Sequence, residues 1–197
     1  MRATCLAAVL LLAASLSSAE EAGAKPAEKG KEPASLFDGK TLNGWKVTGC
    51  EAVVEDGAIL LKAGNGMVRT ERTYKDFVLE VDWKALKADN WDSGVFFRCG
   101  DAPPGKHWPQ LYQSNLRKGI EGDVEELPAA RSKGLTKAHE WNHFKLTLKG
   151  AHAELEINGQ PAWKTDGVTV PEGFIGLQAE IPGGGQFLYR NITVLEL

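Results

Sequence analysis

The fold of this chain follows from one alternating stretch, residues 77–84 (Phe-Val-Leu-Glu-Val-Asp-Trp-Lys). Its odd positions are all apolar, and its even positions are charged with the exception of Val78. Successive side chains of an extended strand point to opposite faces, so this pattern buries one face of the strand and exposes the other. We therefore predict an antiparallel β-strand with one face in the core.

Other stretches repeat this pattern, with turn-forming residues between them. Residues 143–148 and 153–157 alternate in the same way, and Asn158-Gly159 directly follows the second run. An Asn-Gly pair between alternating runs is a strong short-range signal for a β-hairpin. No stretch shows a convincing helical period. The sequence thus predicts about twelve short strands in an all-β, two-sheet antiparallel sandwich.

Composition and charge restrict the class of protein. The chain has 197 residues, of which 43% are apolar, which is enough for one core and too many for a disordered chain. A formal net charge of −3 argues against a nucleic-acid partner, because nucleic-acid-binding domains present a basic surface to the phosphates. We therefore expect one globular domain.

The N-terminal segment has the features of an export signal. Arg2 precedes an apolar run at residues 5–16, and small residues follow at 17–19, which is the order found in secretory signals. We predict a signal peptide over residues 1–19, a disordered linker over residues 20–34 and the folded domain over residues 35–197. The apolar run is too short to span a bilayer. We therefore expect no membrane insertion after cleavage, and a periplasmic or extracellular protein.

Two cysteines, Cys50 and Cys99, lie in the predicted domain. In an oxidising compartment this pair could form a disulfide. The two residues could equally be separate buried thiols, since the sequence does not show whether their Cα atoms come within about 7 Å of each other. Both alternatives stay open at this point.

The alternation also predicts which polar side chains face away from the core. Gln113 and Asn115 share the outer face of one strand, and Gln178 and Glu180 share that of another. Arg98 is expected on the outer face of a third strand. If these faces belong to one sheet, the five side chains converge on one polar surface. A carboxylate beside amides and a guanidinium group can bind sugar hydroxyls or move a proton.

Several motifs, in order along the chain, resemble those of one family. Residues 35–45 (Ser-Leu-Phe-Asp-Gly-Lys-Thr-Leu-Asn-Gly-Trp) are similar to its opening LFDGKTLxGW, residues 92–98 to its NSGxFFR segment and residues 140–142 to its GEWN strand. Residues 176–180 and 189–192 resemble GLQxE and FRNI at its end. The family is that of the 3-keto-disaccharide hydrolase domains, among the concanavalin A-like lectin/glucanase sandwiches.

The resemblance implies a jelly-roll sandwich of the concanavalin A-like type. It also implies an exported enzyme that cleaves the glycosidic bond of 3-keto-glycosides or 3-keto-disaccharides. A ketone at C3 acidifies the C2 proton, so one base can start an elimination that expels the C1 substituent, and water addition completes net hydrolysis. We expect Glu180 to be the catalytic base or acid. Arg98, Gln113 and Gln178 are expected to bind the substrate or stabilise the enolate, and Asn115 to line the site.

Two positions depart from the family pattern. Asp92 stands where the family often has Asn, and Asn115 replaces an acid in residues 111–116, which resemble the variant GYQxDI. An amide cannot transfer a proton as a carboxylic acid does, so Asn115 points to altered or weak catalysis. A non-catalytic carbohydrate-binding module is therefore the alternative interpretation, and a structural sandwich in a cell-surface assembly is a third.

Trp91 and Trp108 are the remaining candidate residues for substrate binding. Trp91 and Trp108 lie in polar loops, where an exposed ring could stack on a sugar, although ordinary packing under a loop fits the sequence equally well. A divalent cation such as calcium, held by backbone and Asp oxygens, would leave no sequence signature. No cofactor is certain, and the metal and the oligomeric state stay open.

Overall fold

The computed structural model describes Met1 and residues 31–197. Apart from Met1, the predicted signal peptide lies outside the described residues, and so does the predicted linker as far as residue 30. The described residues form strands, turns and loops but no helix. Accordingly, none of them belongs to a helix long and apolar enough to cross a membrane.

Eleven strands form the described part of the domain. In chain order they are β1 (Ala34–Ser35), β2 (Trp45–Glu55), β3 (Ala58–Thr70), β4 (Phe77–Ala85), β5 (Gly94–Cys99), β6 (Gln113–Asn115), β7 (Asn142–Lys149), β8 (His152–Ile157), β9 (Gln160–Thr165), β10 (Phe174–Ile181) and β11 (Phe187–Glu196). The alternating stretch at residues 77–84 lies in β4, where buried and half-buried side chains alternate as predicted.

These strands belong to one antiparallel sheet that curls around the core. Its order is β6-β5-β10-β3-β11-β4-β7-β8-β9, with β2 paired to β3 and β1 paired to β11. The curl lies at β3, whose two halves pair with different strands. The first half, residues 59–61, pairs with β11, and the second half, residues 64–69, pairs with β10. We call β6, β5, β10 and the second half of β3 the front sheet, and β11, β4, β7, β8 and β9 the back sheet. The predicted all-β antiparallel sandwich is confirmed.

Tight turns fix the register of two hairpins. Asn158 and Gly159 join β8 to β9 with φ angles of 52° and 76°, and Asp56 and Gly57 join β2 to β3 with φ angles of 48° and 77°. Two consecutive residues with positive φ are typical of the type I′ turn, whose twist matches that of the flanking strands. The hairpin predicted at Asn158-Gly159 is confirmed.

The main core lies between the front and back sheets. Leu79 and Trp83 of β4 enter it from the back sheet, and Leu177 of β10 enters it from the front sheet, each at most 2% exposed. The opposite face of the front sheet, which we call the outer face, has a smaller apolar cluster of Met67, Phe96 and Cys99. Because Leu177 faces the core, its neighbours in β10 lie on the outer face, as the alternation predicted.

Cys50 and Cys99 are both free thiols, so the disulfide alternative is wrong. Cys50 lies on β2 and Cys99 lies at the end of β5, and β3 and β10 separate these two strands. Three strand spacings of about 4.8 Å place the residues roughly 14 Å apart across the sheet, about twice the Cα separation that a disulfide tolerates. Burial raises the pKa of the Cys99 thiol to about 12, so Cys99 behaves as a small apolar residue.

Candidate active site

A row of hydrogen-bonded polar side chains crosses the outer face of the front sheet from β6 to β10. The Gln113 amide donates a short hydrogen bond to Oε1 of Gln178. Gln178 Nε2 in turn donates to Oε2 of Glu180 at 3.1 Å. The structure therefore brings three of the predicted site residues together, and the row fixes the direction in which the Glu180 carboxylate points.

Gly94 makes room for this row. β5 lies between β6 and β10, so Gln113 has to reach across β5 to contact Gln178. A β-carbon at Gly94 would lie 2.0 Å from Gln113 Nε2, which is closer than two such atoms can approach. A side chain at this position would displace Gln113 from Gln178.

Asp92 lies beside Glu180 at the end of the row. The turn after β10 folds back on itself, and the Gly184 N–H donates to the Glu180 carbonyl oxygen at 2.5 Å. The Asp92 N–H donates to the Gly184 carbonyl oxygen at 3.0 Å. Gly184 packs so closely that a β-carbon there would lie 2.0 Å from the Asp92 carbonyl oxygen. This turn holds the two acidic residues next to each other.

The Asp92 carboxyl group has a raised affinity for protons. Partial burial and the negative charge of Glu180 raise its pKa from 3.8 to about 6, against an opposing effect of the Arg117 charge. Burial and a like charge both disfavour the ionised carboxylate. A pKa shifted in this direction is typical of carboxyl groups that transfer protons at neutral pH.

Asp92 and Glu180 line one cavity of about 380 Å³, together with Trp91, Arg117 and Lys118. This volume lies at the lower end of the range for small-molecule sites. Two carboxyl groups can exchange protons with a bound substrate, and the two cationic side chains can stabilise negative charge that develops on it. The cavity is thus equipped for acid–base chemistry on a small polar molecule.

Residues 32–195 match the family model described as the 3-keto-alpha-glucoside-1,2-lyase-like domain. The chain belongs to this family. The resemblance found in the motifs of the sequence is thereby confirmed.

The name of one similar protein is consistent with this family. A 3-keto-disaccharide hydrolase of Bacteroides thetaiotaomicron is 34% identical over an alignment of 77 residues, which covers 32% of this chain and 26% of that protein. The chain therefore matches only about a quarter of the length of this relative.

Two solved structures share the fold. A protein of Parabacteroides distasonis ATCC 8503 that was assigned as a glycosyl hydrolase superposes with a TM-score of 0.69 at 18% identity, covering 84% of this chain and 94% of that one. The carbohydrate-binding module CBM66 of Bacillus subtilis superposes with a TM-score of 0.61 at 15% identity, covering 78% and 96% of the two chains. At these identities the similarity establishes the fold alone.

In this family member, Asn115, which was expected to line the site, is not among the residues that line the cavity. Its Oδ1 accepts a hydrogen bond of 2.6 Å from the Arg117 backbone N–H. Its own backbone N–H donates to Asp123, and its carbonyl oxygen accepts from Gly122. Asn115 therefore shapes the turn that brings Arg117 to the cavity, and its carboxamide oxygen is occupied by that turn.

Both tryptophans that were predicted to stack on a sugar are packed against other residues of the protein. Trp91 forms part of the cavity wall but is only 4% exposed, with its ring edge-on to His139 at 5.7 Å. Trp108 packs on the apolar cluster of the outer face, and its indole N–H donates to the carbonyl oxygens of Gly66 at 3.0 Å and Ala179 at 3.2 Å. Stacking of a sugar on either ring stays a prediction.

Arg98 lies apart from the site, and the prediction that it shares the outer face with Glu180 is wrong. Arg98 has a positive φ of 46°, and the pairing of β5 with β10 shifts register beside it. This bulge turns the side chain away from the outer face. The buried guanidinium group donates instead to four loop partners, Lys75 O, Gly150 O, Val170 O and Asp76 Oδ1. It ties together loops away from the cavity.

Sequence reasoning missed Asp92 and Arg117 as site residues. The available signal was Asp92 itself, an acid where the family motif often has Asn. Arg117 follows the short strand β6 without any motif, so only the three-dimensional structure places it in the cavity.

Binding of a divalent cation in the cavity stays a prediction. Among the described residues, no group of three or more His, Cys, Asp or Glu side chains is arranged to hold a metal ion. Asp92 and Glu180 are the carboxylates of the cavity, and they could supply two oxygen ligands to a divalent cation.

Proposed function

We propose that this domain is an exported carbohydrate-active enzyme that cleaves the glycosidic bond of 3-keto-glycosides or 3-keto-disaccharides. The observation that carries the proposal is the pair of Asp92 and Glu180 in one polar cavity, with a raised pKa at Asp92. The family of the chain and the name of its Bacteroides relative support the substrate class.

The first step of the proposed reaction needs a base and a stabilised enolate. Glu180 takes the proton from C2, which the C3 ketone acidifies, and the electron pair moves onto the ketone oxygen. Arg117 and Lys118 also form exposed ion pairs with Glu125 and Asp89, and from the cavity wall they supply positive charge for this enolate. The hydrogen bond from Gln178 keeps the Glu180 carboxylate aimed into the cavity.

The second step breaks the bond between C1 and the leaving oxygen. The enolate collapses to a ketone with a C1=C2 double bond, and the leaving oxygen receives the proton of Asp92. Water then adds its hydroxyl group to C1, and the proton held by Glu180 returns to C2. The second water proton restores Asp92, so net hydrolysis leaves both carboxyl groups as they began.

The test uses the purified protein with a 3-keto-disaccharide and with its unoxidised parent, each with and without EDTA, and follows the products by mass spectrometry. We expect cleavage of the keto sugar alone. Loss of activity in EDTA would identify a divalent cation as a participant. Binding of the sugars without cleavage of either would overturn the proposal in favour of a carbohydrate-binding module.

The variant Glu180→Gln tests the proposed base. It should lower turnover by about 10²–10⁴-fold, the usual contribution of a general base, while leaving the melting temperature unchanged. The matched control is Glu51→Gln, which removes an exposed carboxylate paired with Lys62 outside the cavity. Full activity in Glu180→Gln would contradict the assignment.

Export rests on the pattern of residues 1–19 and has its own test. The full chain is expressed in a Gram-negative host, and the mass of the protein in the periplasmic fraction is measured. A product that begins at Glu20 would support export, and an uncut chain in the cytoplasm would contradict it.

A further inference from the structure

A second cavity lies on the outer face next to the candidate active site. It has a volume of about 270 Å³, and its walls come from β2, from β3 and from the loop that follows β5. Asn65, in this wall, is the direct cross-strand partner of Glu180. Their side chains therefore leave the same face of the sheet with β-carbons about 5 Å apart. The two cavities adjoin at this pair of residues.

Asn65 has an unsatisfied polar atom. Its Oδ1 is shielded from solvent and has no hydrogen-bond partner among the described residues. Buried acceptors in native proteins are nearly always paired, so an orphan acceptor in a cavity wall indicates a missing donor. A rotation of the Asn65 amide would turn this acceptor toward the second cavity, where a hydroxyl group of a ligand would supply the donor.

The second cavity also has more positive than negative charge in its wall. Lys46 and Lys106 line it, and neither occurs in the ion pairs of residues 31–197. Asp101, also in the wall, is already paired with Arg69 at 2.7 Å. Lys46 also interacts electrostatically with Asp101, but the carboxylate is hydrogen-bonded to Arg69, so an anionic group in this cavity would meet a net positive charge.

We infer that the second cavity is the leaving-group subsite and that it binds a second sugar ring with an acidic substituent, such as a uronate. The inference rests on the proposed function, which assigns the 3-keto ring to the cavity of Asp92 and Glu180. The bond to be cleaved then lies over the pair of Asn65 and Glu180. Trp108 is anchored to the backbone of the adjacent pair, Gly66 and Ala179, and so marks the boundary between the two rings.

The experiment compares three substrates that share a 3-keto-glucosyl ring. The first is the methyl glycoside, which cannot reach the second cavity. The second is a neutral disaccharide, and the third is a disaccharide whose leaving group is glucuronate. We expect kcat/KM to rise in that order. Without added salt, kcat/KM for the acidic disaccharide should exceed that for the neutral one by about tenfold. Because salt screens the attraction between exposed charges, 0.5 M salt should remove most of this preference.

Variants assign these preferences to residues. The double variant Lys46→Met/Lys106→Met should lose the preference for the acidic over the neutral disaccharide. The matched control, Lys62→Met, removes a lysine that is paired with Glu51 outside the cavity and should keep the preference. Asn65→Ala should reduce the preference for the neutral disaccharide over the methyl glycoside by about fivefold, the value of one hydrogen bond.

The outcomes separate the inference from the proposed function. Cleavage of all three substrates with equal kcat/KM, or preferences that survive in the lysine and Asn65 variants, would overturn the subsite and leave the proposed function standing. Failure to cleave the methyl glycoside and both disaccharides would instead overturn the proposed function.

Discussion

Replacing Asp92 by Asn should impair the cleavage of glycosides according to how much their leaving groups need a proton. The pKa of Asp92 is raised from 3.8 to about 6. At pH 7 about one Asp92 carboxyl group in eleven is then protonated, which is roughly 150 times the fraction that the ordinary pKa would give. The cavity thus maintains a supply of the acid form that the proposed second step uses, and the amide in Asp92→Asn removes it.

The assay uses two 3-keto-glucosides, one with a sugar as leaving group and one with 4-nitrophenol. A sugar alkoxide needs a proton to depart, whereas 4-nitrophenolate departs without one. The variant should lose about 10²–10⁴-fold in kcat/KM on the first substrate and less than about fivefold on the second. With the native protein and the sugar leaving group, activity should fall as the pH rises through about 6, because the acid form is lost. That descending limb should be absent from the variant.

The control for this experiment is Asp166→Asn. Asp166 is 84% exposed and pairs with His152 away from the cavity, so the same change of carboxylate to amide should leave both substrates unaffected. An equal loss for both leaving groups in Asp92→Asn would refute the assignment of Asp92 as the acid.

Three further variants or treatments probe stability. Arg98→Met should lower the free energy of unfolding by about 1.5–3 kcal/mol in urea denaturation, because it removes the hydrogen bonds that a fully buried guanidinium group makes to four partly exposed loop groups; native stability with a raised KM would return Arg98 to substrate binding. Asp92→Asn should be more stable than the native protein at pH 7.5 and equally stable at pH 3. A carboxyl group whose pKa is raised by folding stabilises the folded state below its unfolded pKa, and this contribution is lost as the pH rises through about 6; a difference in denaturation midpoint that does not change with pH would contradict this. Reducing agent should leave the melting temperature unchanged because both thiols are free, and a thiol reagent should label half-buried Cys50 before Cys99, which is 1% exposed. A lower melting temperature on reduction would reveal a disulfide.

The parts of the site that lie on regular strands could be predicted from the sequence. In β10 the alternation assigned Leu177 to the core and Gln178 and Glu180 to the opposite face, and the structure agrees, because a strand without a bulge allows no other arrangement. The motif resemblance added the family, which the match over residues 32–195 confirms.

The parts that depend on irregular backbone could not be predicted. Arg98 has a positive φ and lies next to a register shift, and this turns its side chain away from the outer face that the alternation predicts. The pattern of apolar and polar residues around Arg98 gives no sign of this irregularity. The proximity of Asp92 to Glu180 depends on Gly184, which lies in a turn far from Asp92 in sequence and hydrogen-bonds to both residues. A contact between residues so far apart in sequence leaves no periodic pattern of apolar and polar residues from which it could be predicted.

Because β3 pairs with β10 through residues 64–69 and with β11 through residues 59–61, the cavity and the core share one continuous strand. Opening of β10 would free one side of residues 64–69, but β2 pairs with β3 along its length, so amide protons in both halves of β3 should exchange more slowly than those of the edge strands β6 and β9. The loops after β5 and β6 also supply cavity walls, and they do so without belonging to the shared strand, so substitutions there should alter the cavities at less cost in stability than substitutions in β3.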